Sequence, residues 1–163
     1  SKNFYFYLIL IGFITFTQGE SILDNFTNEG RVFIPKKSIV LNENKKIVNF
    51  PTNERSIAIF WASWCAPCKV EMARIKNSVL SGKIKGRQIF AINPFESKHI
   101  VTKFLKKNEY PFTFITAPKL SKGLNISRTP TIVFFDENKV ERISSGLSLI
   151  GIYWAEYFLG KEF

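Results

Sequence analysis

The chain has 163 residues, 45% of them hydrophobic and 15% aromatic, with a formal net charge of +10. That length suits one domain with a real core. Seventeen Phe exclude a disordered chain, and nine Gly with seven Pro exclude collagen-like and low-complexity classes. Two Cys cannot staple a mini-protein, and the single residue His99 leaves little for metal binding or histidine catalysis. The positive charge is dispersed in short pairs, such as Lys36-Lys37, Lys45-Lys46 and Lys106-Lys107, with no run of five. A solvated basic surface is expected, and no nucleic-acid partner.

The chain opens on Lys2 and an uncharged apolar run of about 13 residues, Phe4 to Phe16, followed by Thr17-Gln18-Gly19 and Glu20. A basic start, a short apolar stretch and small residues at its exit are the features of a secretory signal, with cleavage expected after Gly19. The run is shorter than the ~20 residues that span a bilayer comfortably, so a cleaved signal is favoured over a permanent anchor. Residues 1–19 are thus read as signal peptide or signal anchor and 20–163 as one domain. Either reading puts that domain outside the cytoplasm, where disulfides persist. Membrane contact is expected only if the segment is retained.

Between Glu20 and Asn53, Arg31–Ile34 and Lys46–Phe50 are read as the strands of an N-terminal hairpin. Ser56–Trp61 is a short apolar run bounded by charge, hence a buried strand. From Cys65 the period changes: Met72, Ile75 and Val79 give a helical stripe, Pro67 falls in the first turn where a missing N–H costs nothing, and Gly82 ends the helix. Arg87–Ile92 is a second buried strand. Ser97 caps a helix with Ile100, Val101, Phe104 and Leu105 turned inward, which Pro111 closes. Phe112–Ile115 is extended and Leu120–Leu124 a short helical piece. Thr131–Phe135 is a strong strand, followed by a turn at 136–139 and a hairpin partner at Val140–Ile143. Leu147–Leu159 is a closing helix. Alternating strands and helices ending in a hairpin predict an α/β fold with a mixed sheet.

The chemistry is concentrated in Trp64-Cys65-Ala66-Pro67-Cys68-Lys69, which follows a buried strand and opens a helix. That context suits a redox pair. At the helix N-terminus, unpaired N–H groups and the helix dipole favour a thiolate, so Cys65 is read as the attacking sulfur. Cys68, one turn inward, is read as the resolving thiol. A zinc site or an iron–sulfur cluster would need four ligands where two Cys and His99 are available. A structural disulfide would close too small a loop to restrain the unfolded chain. A peroxidase is not supported, since Ala62 stands three residues before Cys65 where a Thr would be expected. The redox-active Cys65–Cys68 disulfide is itself the reactive group, with no other cofactor or metal expected.

The segment FWASWCAPCK resembles the active site of the thioredoxin superfamily, and Arg128-Thr129-Pro130-Thr131 resembles its cis-proline loop. Within the superfamily the sequence is most similar to TlpA/ResA-type extracytoplasmic oxidoreductases, whose pattern W-C-x-P-C-x-x-E-x-P places Glu71 on the Glu and Ala73 on the final Pro. The resemblance implies a thioredoxin-like fold, a mixed sheet flanked by helices with an N-terminal β-hairpin extension. It makes Pro130 the cis-proline and Thr129, with Trp64 and Pro67, part of the substrate-binding surface. It makes Glu71 a catalytic candidate beside the two Cys, able to influence thiol protonation. Cytoplasmic thioredoxins carry a buried Asp six residues before the first Cys; Ile59 stands there, so a general-base role would pass to Glu71 or water. Protein thiols or disulfides, apocytochrome c among them, are the implied partners, with a membrane-bound thiol protein as electron donor. The Ala66-Pro67 dipeptide leaves the direction of electron flow open between a reductant and an oxidant or isomerase. A non-catalytic binding module of the same fold would have no need of the intact C-x-x-C.

Overall fold

The computed structural model describes residues 4–9, 11–12, 27–43, 46–146 and 151–160. Residues 4–9 and 11–12 are helical and exposed; the expected cleavage point after Gly19 lies outside the described residues. Among the described residues, no helix is long and apolar enough to cross a membrane.

Two strands, β1 (Lys36–Ile39) and β2 (Ile47–Phe50), form an antiparallel hairpin. The rest follows as β3 (Ser56–Phe60), α1 (Ala66–Leu80), a 3-10 turn (Gly86–Gln88), β4 (Ile89–Ile92), α2 (Lys98–Leu105), β5 (Thr113–Ile115), α3 (Pro118–Gly123), β6 (Thr131–Asp136), β7 (Lys139–Ser145) and α4 (Gly151–Gly160). The main sheet has the order β5-β4-β3-β6-β7. β3 runs parallel to β4, and β4 to β5, while β3–β6 and β6–β7 are antiparallel. This is the mixed sheet of a thioredoxin-like fold, with the expected N-terminal hairpin attached.

Every residue of β3 and β4 is buried, because both faces of the sheet are covered. The alternation of side chains separates two cores. On one face Ile57, Ile59, Ile89, Ala91, Ile132 and Phe134 pack with Cys68, Met72 and Ile75 of α1, Val101 of α2, and Ala155 and Leu159 of α4. On the other, Ala58, Phe60, Phe90, Ile92, Val133 and Phe135 pack with Val40 and Phe50 of the hairpin and Leu120 and Leu124 around α3. Trp61, placed just beyond β3, is fully buried, its ring 4.9 Å from Phe104 and 5.5 Å from Phe114.

Two expectations shift. The first hairpin strand is Lys36–Ile39, not Arg31–Ile34. Pro35 has no N–H to donate and divides the two stretches. The earlier one pairs instead with the β6–β7 turn: the Phe33 N–H donates to the Asn138 carbonyl at 2.9 Å, the Val140 N–H donates to that of Arg31 at 2.9 Å, and Val32 bridges Lys139. In α2, Ser97 caps the helix as expected, but the inward stripe is Val101, Phe104 and Leu105 at i, i+3, i+4. Ile100 falls outside it and is exposed. Residues 147–150 of the expected closing helix lie outside the described residues.

Gly86 opens the turn that leads into β4. A Cβ there would lie 1.9 Å from the backbone oxygen of Pro111, which cannot rotate away. Gly160, at the end of α4, has open space around it. Gly86→Ala is therefore expected to lose about 1–3 kcal/mol of stability, an overpacking cost. Gly160→Ala should stay within about 0.5 kcal/mol of the parent. Urea denaturation of the two variants checks this.

Candidate active site

β3 delivers the chain, fully buried, to a short loop at Trp61–Trp64, and α1 leaves from that loop with Cys65 as its N-cap. The first N–H groups of a helix have no partner within it. Here the Cys65 sulfur accepts the N–H of Cys68 at 3.2 Å, and Pro67 in the first turn brings no N–H at all. No acidic residue lies in that turn to oppose a negative sulfur. Cys65 and Cys68 are joined in a disulfide with Cα atoms 5.3 Å apart. Cys65 retains 4% exposure and Cys68 none, so a partner would reach Cys65 first.

The Thr129–Pro130 peptide bond is cis. Pro130 is buried and Thr129 half-buried. Their loop is held at both ends of the hairpin that follows: the Pro130 carbonyl accepts the Gly146 N–H at 2.7 Å, and the Thr131 hydroxyl donates to the Arg128 carbonyl at 2.8 Å. Trp64 and Pro67 are exposed on the opening turn of α1. His99 and Lys69 are exposed.

Glu71 is fully buried on α1, one turn beyond Cys68, and among the described residues it is the one buried carboxylate. An exposed helix carboxylate, the ordinary alternative at this position, does not describe it. One oxygen faces Arg74 at 3.5 Å, and the other has no hydrogen-bond partner. Burial pushes its pKa above the ordinary value of 4.5, against the opposing charge and hydrogen bond of Arg74. Ile59, at the position of the buried Asp of cytoplasmic thioredoxins, is wholly apolar core.

A second carboxylate was not singled out from the sequence. Glu96, in the loop between β4 and α2, accepts the Ser63 N–H at 2.6 Å, the Ser63 hydroxyl at 2.5 Å and the Asn93 amide at 2.6 Å. Partial burial pushes its pKa up, but the hydrogen bonds from Ser63 and Asn93 and the charge of Lys69 prevail and hold it below the ordinary carboxylate range. The local part of this arrangement has a sequence sign, an Asn three residues before a Glu at the end of a strand, which suits an Asn-capped turn. Its grip on Ser63, 33 residues earlier, has none. Among the described residues, no cluster of His, Cys, Asp or Glu is placed to hold a metal ion.

The Redoxin family profile matches residues 41–144, more than half of the chain. The thiol-disulfide oxidoreductase ResA of Bacillus subtilis is 30% identical over 138 residues, 74% of this chain and 76% of that protein. A thioredoxin-like protein of Haemophilus influenzae is 28% identical over 160 residues, 90% of this chain and 92% of that one. Among solved structures, StoA from Bacillus subtilis aligns with a TM-score of 0.61 at 21% identity, over 80% of this chain and 98% of that one. A thiol:disulfide interchange protein from Chlorobium tepidum aligns with a TM-score of 0.65 at 18% identity, over 81% and 98%. At those identities the structural matches speak for the fold.

The buried carboxyl of Glu71 makes stability depend on pH. Unfolded, the group titrates near 4.5; folded, it holds its proton to higher pH. Its contribution to stability is therefore fully present below 4.5 and is lost as pH rises through the folded value. Glu71→Gln keeps the neutral form at every pH. Its urea midpoint is expected to exceed the parent's at about pH 7 and to match it below about pH 4. A lower midpoint at neutral pH would mean that pairing with Arg74 outweighs burial.

Proposed function

The chain belongs to the Redoxin family and is a thiol-disulfide oxidoreductase of the ResA and StoA type, and we propose that it works outside the cytoplasm as a reductant of protein disulfides. The observation that carries the exchange chemistry is the Cys65 sulfur capping α1, with Cys68 sealed behind it, and the reductant direction rests on the resemblance of the Trp64–Glu71 segment to the TlpA/ResA-type pattern. A thiolate at Cys65 gains from the N–H it already accepts, so that sulfur is the nucleophile. It attacks one sulfur of a substrate disulfide, forming a Cys65–substrate disulfide and expelling the other substrate sulfur as a thiolate, which takes up a proton. Cys68 then gives up its proton and attacks the Cys65 sulfur. That closes the Cys65–Cys68 bond and releases the second substrate thiol. Two electrons pass to the substrate, and a dithiol protein at the membrane returns them in the next cycle.

Glu71 is the proposed acceptor for the Cys68 proton. It lies one helical turn away, it is shielded from water, and burial moves its pKa towards that of a thiol. Trp64, Pro67, Thr129 and Pro130 form the proposed docking surface. An extended substrate would lie along the Thr129 backbone next to the cis-proline.

The location rests on Lys2, the apolar run Phe4–Phe16 and the small residues before Glu20, with residues 1–19 as signal peptide or anchor and 20–163 as the working domain. Disulfides of exported proteins, apocytochrome c among them, are the proposed substrates, on the resemblance of the Trp64–Glu71 segment to the TlpA/ResA-type pattern. The N-cap hydrogen bond also favours a second reading, a disulfide-forming oxidant or isomerase, because a stabilised thiolate makes a disulfide more oxidising.

Equilibrating the Cys65–Cys68 pair against dithiothreitol or glutathione buffers separates the two. A reductant is expected to poise at or below about −270 mV, whereas a potential near about −120 mV would reverse the direction of electron flow. Cys65→Ser should abolish reduction of a model protein disulfide. Cys68→Ser should still attack but accumulate the mixed disulfide, visible as a reducible band on a non-reducing gel.

A further inference from the structure

Beside the disulfide lies an apolar surface of which the family pattern supplies Trp64 and a separate loop supplies Phe95. Trp64 is 68% exposed and Phe95, in the loop between β4 and α2, is 43% exposed, with ring centroids 6.4 Å apart. Trp154 and Tyr157 of α4 form another exposed ring pair, 5.9 Å apart; the Trp64–Phe95 pair differs in that Trp64 immediately precedes Cys65 in the chain, which places exposed aromatic surface next to the disulfide.

The loop that carries Phe95 is anchored. The Asn93 side-chain oxygen accepts the N–H of Phe95 and of Glu96, each at 3.1 Å. Glu96 in turn grips both the N–H and the hydroxyl of Ser63, the residue before Trp64. Two hydrogen bonds to one charged carboxylate thus tie the segment bearing Phe95 to the segment bearing Trp64 and Cys65, and a third, from Asn93, fixes that carboxylate within its own loop. Phe95 is therefore presented to the same partner that reaches the sulfur.

We propose that Phe95 and Trp64 form an aromatic platform that takes an apolar side chain of an extended polypeptide next to its disulfide, and that the Glu96–Ser63 clamp keeps this platform in register with Cys65. The inference rests on the oxidoreductase reading above and adds a substrate preference to it. Contiguity argues for the occupant: any sulfur bonded to Cys65 lies one residue from Trp64, so the flanking residues of the same substrate fall on the platform. Neither ring carries a charge, and a fixed surface binds without first having to order a loop, which favours an apolar neighbour over a polar one. Phe95 is a specificity residue on this account and takes no part in the sulfur chemistry. Glu96 is a positioning residue that acts through Ser63.

The test uses the pre-reduced protein as a stoichiometric reductant in stopped flow, read by tryptophan fluorescence. The substrates are glutathione disulfide and two disulfide-linked peptides, one with Phe and one with Ser beside the Cys. Phe95→Ser is expected to raise the half-saturating concentration of the Phe-flanked peptide about threefold to tenfold, the range of an aromatic contact. It should leave the Ser-flanked peptide and glutathione disulfide unchanged. Phe95→Leu should recover most of the loss, which a merely structural role would not predict. Equal losses on all three substrates, or no loss on the Phe-flanked peptide, would overturn the platform. A parent protein that reduces none of the three would instead overturn the oxidoreductase reading, a result distinct from failure of the platform.

Discussion

One hydrogen bond organises this protein, the N–H of Cys68 donated to the sulfur of Cys65. A helix must find acceptors outside itself for its first N–H groups, and an oxygen-bearing side chain usually serves. Here a sulfur serves, and the opening turn offers it neither an acidic neighbour nor, at Pro67, a competing donor. The cap is only useful if its position is rigid. That rigidity comes from β3, whose five residues are all buried between two cores, and from Trp61, wedged against Phe104 and Phe114 as the chain leaves the sheet. The sheet thus serves to aim one sulfur, and the helix behind it to polarise that sulfur.

Burial of Glu71 sits uneasily with stability. A carboxyl with one oxygen unpartnered, on a helix whose other buried residues include Cys68, Met72 and Ile75, costs more as it ionises. Where cytoplasmic thioredoxins place an Asp, Ile59 adds to the same core. The buried carboxylate of this region is therefore on the helix, and the strand positions Ile57–Phe60 are left apolar. Two packed faces can tolerate one such group, since a single partly satisfied carboxyl is small against the apolar surface that α1, α2 and α4 remove from water.

What could be read beforehand follows the range of the interactions involved. The strands Ser56–Phe60 and Thr131–Asp136 and the helix after Cys65 are marked by local period and by the punctuation of Pro67 and Gly82, so they were legible from residues a few positions apart. The C-x-x-C announced itself by spacing, and Pro130 by similarity of its loop to a known one. The hairpin was legible in kind but not in register. Arg31–Ile34 has the composition of a strand, and only the tertiary pairing with Asn138–Val140 shows that it closes the β6–β7 turn instead. Ile100 failed for a similar reason, because an eight-residue helix buries a narrow edge and period alone does not say where the edge lies. The burial of Glu71 was out of reach of its sequence neighbours, and the pairing of Glu96 with Ser63 joins two loops that only the parallel β3–β4 register brings together.

That register produces the most informative contrast in the site. Two carboxylates stand near the disulfide, and their surroundings push them in opposite directions: burial raises the pKa of Glu71, and hydrogen bonds outweigh burial to lower that of Glu96. Divergent pKa values in neighbouring acids indicate divergent roles. A carboxyl with a raised pKa and a free oxygen is suited to exchanging a proton with a thiol. One that keeps its charge and spends both oxygens on Ser63 and Asn93 is suited to holding backbone in place. The first belongs to the helix that carries Cys68, the second to the loop tied through Ser63 to the segment bearing Cys65. In the proposed mechanism proton management and geometric alignment thus fall to separate residues on separate elements, so either can vary without disturbing the other. The residue between Asn93 and Glu96 that projects towards Trp64 is then free to be chosen for the substrate alone.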